Sequence, residues 1–241
     1  KRIPWAGAAL LSVVIPVWNG RNMLERAIRE TLGYLDTLGD GGELLLVSDG
    51  CEDQPEEILG PWQDRDSRLR WIQLDRHRGK GAAVRQGVLE ARGDQIAMLD
   101  VDLSTSPDSL RILRAAMSSG VSVVCGSRAL SESVLPKPQG WLRRLSGSIF
   151  RDLVRVYTGL KIRDTQCGCK LFEASVIKPI FRDMKTEGFA FDVEVLVRAR
   201  QSGLEIVEVP IEWSDAEESR VQLLRDGLRM LWVVLTLPRS G

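Results

Sequence analysis

Two aspartates one residue apart, Asp100 and Asp102, close the apolar run Gln95-Ile96-Ala97-Met98-Leu99. Gly93-Asp94 bounds that run, so it reads as a buried strand that delivers both carboxylates to its carboxyl end. Open α/β sheets place their ligands at such ends. Hard oxygen donors grouped in this way suit Mg²⁺ or Mn²⁺, held by one or two carboxylates with substrate phosphates completing the shell. An isolated Asp-x-Asp is more often a solvated turn, so its neighbours must decide. Ser104-Thr105-Ser106-Pro107-Asp108 follows as a turn into a helix capped near Ser106, with Pro107 at its first position.

Gly79-Lys80-Gly81 follows a predicted strand and opens a helix, so its amides and Lys80 could hold a phosphate at the helix's positive end. The glycine spacing is not that of a P-loop, and no Ser or Thr follows the lysine. A dinucleotide fingerprint would need a small residue where Val84 stands; Asp100 alone fits its acid, about 20 residues on, which keeps a dehydrogenase as a minor alternative. Asp49 ends another strand and is either a turn residue or the acceptor for a nucleobase ring N–H. Arg128, Arg143 and Arg144 singly read as surface charges. Together they could grip a second anionic group, because guanidinium meets phosphate by two prongs. His77, the single histidine, reads as a loop residue, and Asp192 and Glu194 as acids complementing a helix dipole.

Alternating patterns position these groups. Leu10 to Val17 is an apolar strand and the spacing from Asn22 predicts a helix; a strand over 43–47, a helix through Ile58 and Trp62, a strand over 69–74 and a helix from Lys80 to about Arg92 follow. Four such strand–helix units in about 110 residues predict a parallel sheet whose carboxyl edge collects Asn19, Asp49, Lys80, Asp100 and Asp102. A helix over 107–119 and a strand over 121–126 continue the series. The pattern then loosens into a mobile loop over 131–139, a basic amphipathic helix over 141–157, a turn and short strand ending at Phe172, a helix from Phe191 and a strand over 204–211. Residues 1–218 read as one domain, and 219–241 as a C-terminal amphipathic helix. That tail could lie in a membrane interface or pack on the sheet.

Composition narrows the classes. The chain has 241 residues, 44% of them hydrophobic, and a formal charge of zero, so no global field recruits nucleic acid. Lys137 to Arg163 nevertheless carries seven Lys or Arg against Asp152 alone. Cys51, Cys125, Cys167 and Cys169 are too irregular for a disulfide framework or a zinc site and read as reduced thiols. No signal peptide is expected, since Lys1-Arg2-Ile3-Pro4-Trp5 leads straight to the first strand. The apolar end, Leu228 to Leu237, is shorter than the ~20 residues that span a bilayer.

Val14-Ile15-Pro16-Val17-Trp18-Asn19, Val47-Ser48-Asp49-Gly50-Cys51-Glu52-Asp53, Gly79-Lys80-Gly81-Ala82-Ala83, Asp100-Val101-Asp102 and Gly126-Ser127-Arg128 resemble, in order and spacing, the family 2 glycosyltransferases. Asp164-Thr165-Gln166-Cys167-Gly168-Cys169-Lys170-Leu171-Phe172 and Phe191-Asp192-Val193-Glu194-Val195-Leu196 are similar to the dolichyl-phosphate glucosyltransferase branch. The resemblance implies a GT-A fold: one Rossmann-like α/β domain with a mostly parallel central sheet flanked by helices. It implies inverting transfer of glucose from UDP-glucose to a polyprenyl or dolichyl phosphate, with Mg²⁺ or Mn²⁺, at the cytosolic face of a membrane. Pro16, Val17, Asn19, Asp49, Lys80 and Asp100 would then bind the nucleotide, and Asp102 the metal. Asp100, Asp102 and Arg128 would be catalytic, with Arg128, Arg143, Arg144 and Ser146 on the acceptor phosphate. The alternatives are a GDP-mannose-dependent mannosyltransferase of the same kind and a sugar nucleotidyltransferase. Gly20, Ser48 and Cys169 depart from the family's usual acid, aspartate and aromatic.

Overall fold

Strands that are apolar on both faces, such as Leu11–Val17 with Ser12 its one polar residue, must be covered on both faces. In the computed structural model, which describes residues 10–39, 41–117, 121–134, 151, 153–214 and 223–237, they are. β1 (Leu11–Val17) and β2 (Gly42–Ser48) are buried throughout. Their alternate residues feed two separate cores, Val14, Leu45 and Val47 on one side of the sheet and Val13, Ile15, Leu44 and Leu46 on the other. Helix α1 (Arg21–Asp36) buries Leu24, Ala27, Ile28, Leu32 and Leu35 in the second core. Helices α2 (Glu56–Gln63) and α3 (Lys80–Glu90) follow β2 and β3 (Leu69–Gln73).

β4 (Gln95–Met98) is shorter than the apolar run that predicts it. Leu99 still donates its amide to Val14 O at 3.1 Å, and the chain then turns, with Leu103 at φ 46°. Asp100 and Asp102 therefore stand just past the strand rather than on it. A short 3₁₀ turn (Pro107–Ser109), whose Ser106 hydroxyl accepts the Asp108 amide, leads to α4 (Leu110–Met117) and then β5 (Val123–Ser127). Residues 153–158 are helical (α5). β6 (Lys170–Glu173), α6 (Ala174–Asp183), α7 (Phe191–Gln201), β7 (Ile206–Pro210) and α8 (Leu223–Thr236) complete the chain.

The seven strands lie in the order β3-β2-β1-β4-β6-β5-β7. All neighbours are parallel except β6, which runs antiparallel to both β4 and β5. This reversal matters for the site. It sets Lys170 opposite both Met98 and Cys125, so the turn before it, Cys167-Gly168-Cys169, arrives beside the carboxyl end of β4. At the other end of the chain, α8 lies against α5: Tyr157 donates its hydroxyl to Leu235 O at 2.5 Å, and Val234 enters the first core. Most of the predicted loop over 131–139 and of the helix over 141–157 lies outside the described residues.

Candidate active site

The parallel strands bring the predicted groups to one edge. Lys80, at the first position of α3, places Nζ 2.6 Å from Asp100 Oδ1. Two close approaches fix that pair. A side chain at Gly79, where φ is 122°, would meet the Glu187 carbonyl at 2.5 Å, so the loop that begins α3 lies flush on residues 186–188. A Cβ at Gly168 would stand 2.0 Å from Asp100 Oδ2, so the turn before β6 closes against that carboxylate.

The two aspartates differ sharply. Burial opposes ionisation of Asp100, but Lys80 and then Lys170 and Arg128 outweigh it and hold its carboxyl below the usual range. Asp102 is pushed up, first by burial and then by the Asp100 charge; the Ser104 amide, donated to Oδ1 at 2.9 Å, offsets this in part. Among the described residues Asp102 has no ion-pair partner. A half-buried carboxylate crowded by a neighbouring anion, offset only in small part by Lys80, whose ion pair is with Asp100, fits a hard divalent ion. No group of three or more His, Cys, Asp or Glu converges among the described residues. An ion here would take one or two protein oxygens and fill its shell from a substrate's phosphates, as Mg²⁺ commonly does.

Asp49 is buried at the end of β2 and grips the next loop. Its Oδ1 accepts the Arg78 amide at 2.7 Å and its Oδ2 the Gly79 amide at 2.8 Å. Pro16 and Val17 end β1 beside it, and Val17 O accepts the Asp49 amide at 2.8 Å. Asn19 takes a left-handed conformation, φ 48°, and its Oδ1 accepts the Glu52 amide, which ties the two strand ends together. Pro16, Val17, Asn19, Asp49, Lys80, Asp100 and Asp102 thus share one edge. Arg128, at the end of β5, is held by Asp164: its Nε reaches Oδ2 at 2.7 Å, its Nη2 reaches Oδ1 at 2.8 Å, and its amide also meets Oδ2. Its guanidinium lies over the Trp213 ring, 5.4 Å from the centroid. Arg143, Arg144 and Ser146 lie outside the described residues.

Comparison with known proteins gives this edge a family. The sequence model of glycosyl transferase family 2 matches residues 12–181, which contain every group above except Trp213 and the loop over 186–188. The chain belongs to glycosyl transferase family 2. It is 31% identical over 236 residues to glycosyltransferase AglD of Haloferax volcanii, covering 95% of this chain and 38% of AglD. It is 32% identical to dolichyl-phosphate beta-glucosyltransferase ALG5A of Trichomonas vaginalis (88% of this chain, 68% of the relative) and 31% identical to the Homo sapiens dolichyl-phosphate beta-glucosyltransferase (91% and 72%). Glucosyl-3-phosphoglycerate synthase of Mycobacterium tuberculosis, solved with phosphoglyceric acid, superposes with a TM-score of 0.71 at 19% identity, over 99% of this chain and 84% of that one. That likeness establishes the GT-A fold.

Around this edge the structure also engages residues whose sequence reading is blander. Lys170 is 1% exposed, and its ammonium donates to Asp192 Oδ1 and to Cys167 O, both at 2.6 Å. It therefore pins the turn that carries Gly168 against Asp100. Asp192 is a buried partner rather than only a dipole complement. Burial pushes its carboxyl up while Lys170 and Lys80 draw it down. Glu194 likewise accepts the Lys185 and Thr186 amides and Arg198 Nε, which holds the 186–188 loop under Gly79. His77 is no bystander either: its Nδ1 lies 2.8 Å from Asp49 Oδ2, and its ring stacks on Trp18. The only sequence signal for Lys170 and Asp192 was their place in the branch motifs.

Proposed function

We propose that this glycosyltransferase moves glucose, with inversion, from UDP-glucose to the phosphate of a polyprenol or dolichol, and that it requires Mg²⁺ or Mn²⁺. The observation that carries the reading is Asp102: a carboxylate at a sheet edge, one residue from Asp100, disfavoured first by burial and then by the Asp100 charge, beside a lysine and a glycine-bounded helix start. The named dolichyl-phosphate beta-glucosyltransferases support the acceptor class and the sugar. Crystal structures of the M. tuberculosis synthase with Mn²⁺ and UDP-glucose support the donor and the metal. Pro16, Val17, Asn19, Asp49, Lys80 and Asp100 are assigned to the nucleotide, and Asp102 to the metal. Arg128, Arg143, Arg144 and Ser146 are assigned to the acceptor phosphate.

When bound at Asp102, the cation supplies charge neutralisation for the departing diphosphate. The chain's own part is placement. Asp49 and Glu194 fix the two loops that meet at Gly79, so Lys80 Nζ is presented from a helix start toward the donor's anionic end. Asp164 sets the plane of the Arg128 guanidinium, which orients the acceptor phosphate. An acceptor phosphate oxygen then bonds to the sugar C1 as the C1–O bond to the nucleoside diphosphate breaks. The phosphate is already an anion near neutral pH, so no side chain must remove a proton, and orientation carries the rate.

A lipid acceptor needs a surface. No helix among the described residues is long and apolar enough to cross a membrane. Instead α5 and α8 display Leu153, Val156, Trp232 and Leu235, with Val156 85% and Trp232 68% exposed. We assign this joint face to a membrane interface on the cytosolic side, with Val234 keeping α8 anchored to the protein. Flotation with anionic liposomes tests this: Val156→Asp/Trp232→Asp should lose vesicle binding, and undiminished binding would remove α8 from the reading.

The deciding assay incubates the purified protein with Mg²⁺ or Mn²⁺, a polyprenyl phosphate, and UDP-glucose or GDP-mannose in parallel. Glycolipid from UDP-glucose is expected. Glycolipid from GDP-mannose alone would move the protein to the mannosyl alternative, and release of pyrophosphate would mark a nucleotidyltransferase.

A further inference from the structure

After β7 the chain runs on across the catalytic edge as a strap over 211–214, tied at both ends. Val134 donates its amide to Ile211 O at 3.1 Å, and Trp213 returns its own to Val134 O at 2.9 Å. The Ser214 amide then reaches Ser104 O at 2.9 Å, just past Asp102. Between these ties the Trp213 side chain is buried in the second core. The Arg128 guanidinium lies 5.4 Å from its ring centroid, inside the ~6 Å over which an indole face attracts a cation. One strap therefore touches both the arginine assigned to the acceptor phosphate and the turn that carries the carboxylate assigned to the metal.

An arginine carries five N–H groups. In Arg128 the Nε group and one on Nη2 go to Asp164, and among the described residues the two on Nη1 and the second on Nη2 have no partner. Those groups form the outer fork of the guanidinium, the pair of prongs that fits a phosphate. Asp164 sets the plane, but the terminal torsion of an aspartate is broad, so the fork could swing together with its carboxylate. An indole against the guanidinium face stops that swing, and the bonds of the strap to Val134 and Ser104 hold the indole. We infer that Trp213 is a positioning residue for sugar transfer: it keeps the outer fork of Arg128 aimed at the acceptor phosphate, at a fixed distance from the turn of Asp102. This deepens the acceptor reading proposed above and rests on it. Trp213 acts through Arg128, and Asp164 keeps the charge in place without it. The ring should therefore matter to the rate of transfer rather than to the hold on either substrate.

Initial rates of glycolipid formation from UDP-glucose, Mn²⁺ and a short, water-soluble polyprenyl phosphate test this on the wild type, Trp213→Leu and Trp213→Phe, beside calorimetric titration of UDP. Trp213→Leu stays apolar but has no π face. Its kcat should fall about tenfold, the scale of one largely desolvated cation–π contact, while both KM values and UDP affinity hold within about threefold. Trp213→Phe should recover part of the lost kcat. A multiply fluorinated tryptophan placed at position 213 alone keeps the shape of the ring and drains its negative face, so kcat should fall there too, whether or not Trp213→Leu folds. An unchanged kcat in Trp213→Leu or in the fluorinated protein, no recovery with Phe, or a loss carried by either KM or by UDP affinity would overturn the inference. Wild-type protein that binds UDP yet makes no glycolipid from short or long polyprenyl phosphates would instead refute the acceptor reading, and this inference with it. That outcome is visible before any variant is made.

Discussion

Two lysine–aspartate pairs of equal length sit within this molecule, and solvent reaches one far more than the other. Lys80–Asp100 and Lys170–Asp192 both close at 2.6 Å. The first has 18% and 34% of its side chains open; the second has 1% and 4%. Burial lowers a lysine's tendency to hold its proton, yet both lysines are shifted upward, because a facing carboxylate outweighs burial in each. The difference is access. An open pair can exchange its partner for an arriving phosphate, whereas a sealed one has nothing to exchange with. The sealed pair's product is geometry: Lys170 holds Cys167 O, and the turn it anchors carries Gly168 to Asp100 of the open pair.

Breaking the sealed pair should therefore have the largest effect. Asp192→Ala leaves a buried ammonium without its counter-charge, and loss of one partner of such a pair costs roughly 3–5 kcal/mol. Urea titration followed by circular dichroism would show it as a lower midpoint. Lys170→Met/Asp192→Leu, which removes both charges, should be markedly more stable than Asp192→Ala alone. If the double variant is no better, the pair is not the unit described.

The open region should fail in activity rather than in folding. Asp102→Asn removes the carboxylate assigned to the metal, and sugar transfer should fall by on the order of 10²–10³-fold, the scale of losing one preorganised electrostatic group. Its thermal midpoint should not fall, because burial and Asp100 already strain the ionised Asp102. A large drop in midpoint would place Asp102 with Lys170 and Asp192 as a structural group. This is the trade between stability and function expected where like charges are gathered for a ligand.

Legibility in the sequence divides along the same line. β1, β2 and the start of β4 were readable because uninterrupted apolar runs between glycine turns leave few alternatives, and Asp49, Asp100 and Asp102 follow from where those runs stop. Lys170 was unreadable on its own terms. A lysine in a sequence implies solvent unless its partner is known, and Asp192 stands 22 residues away at a helix start that already accounts for an acid. The reversal of β6 was equally hidden: alternation reports which face a side chain takes and carries no sign of strand direction. For His77 the partner is Asp49 on a different strand unit, and no spacing rule joins them. Arg128 was found, but its orientation by Asp164, 36 residues on, belongs to the folded chain.

Acid sensitivity sharpens the contrast at a smaller scale. Although burial opposes it, bonding to Arg128 holds the Asp164 carboxyl below its usual range. Its folded-state pKa therefore lies under the unfolded one. The stabilisation is fully present above the ordinary aspartate value of about 3.9 and disappears as pH falls through the depressed value. Asp164→Asn should be less stable than the wild type at pH 6, and the gap in thermal midpoint should close between pH 4 and pH 2. A gap that stays constant over that range would mean the ion pair contributes nothing.

A third pair sets the lower end of the scale. Arg78 and Glu187 join the same two loops that Asp49 and Glu194 hold from beneath, but 39% and 44% of their side chains are open. Water competes for both charges, salt screens them, and ordering two long side chains costs entropy, so an exposed pair contributes about 0–1 kcal/mol. Arg78→Ala should move the urea midpoint little, and the small change should vanish in high salt. The Arg78 amide that reaches Asp49 is backbone and survives the substitution, so UDP affinity should also hold. Loss of UDP binding in Arg78→Ala would show that its guanidinium, rather than its amide, serves the donor site, and exposure would then no longer separate the structural pairs from the working one.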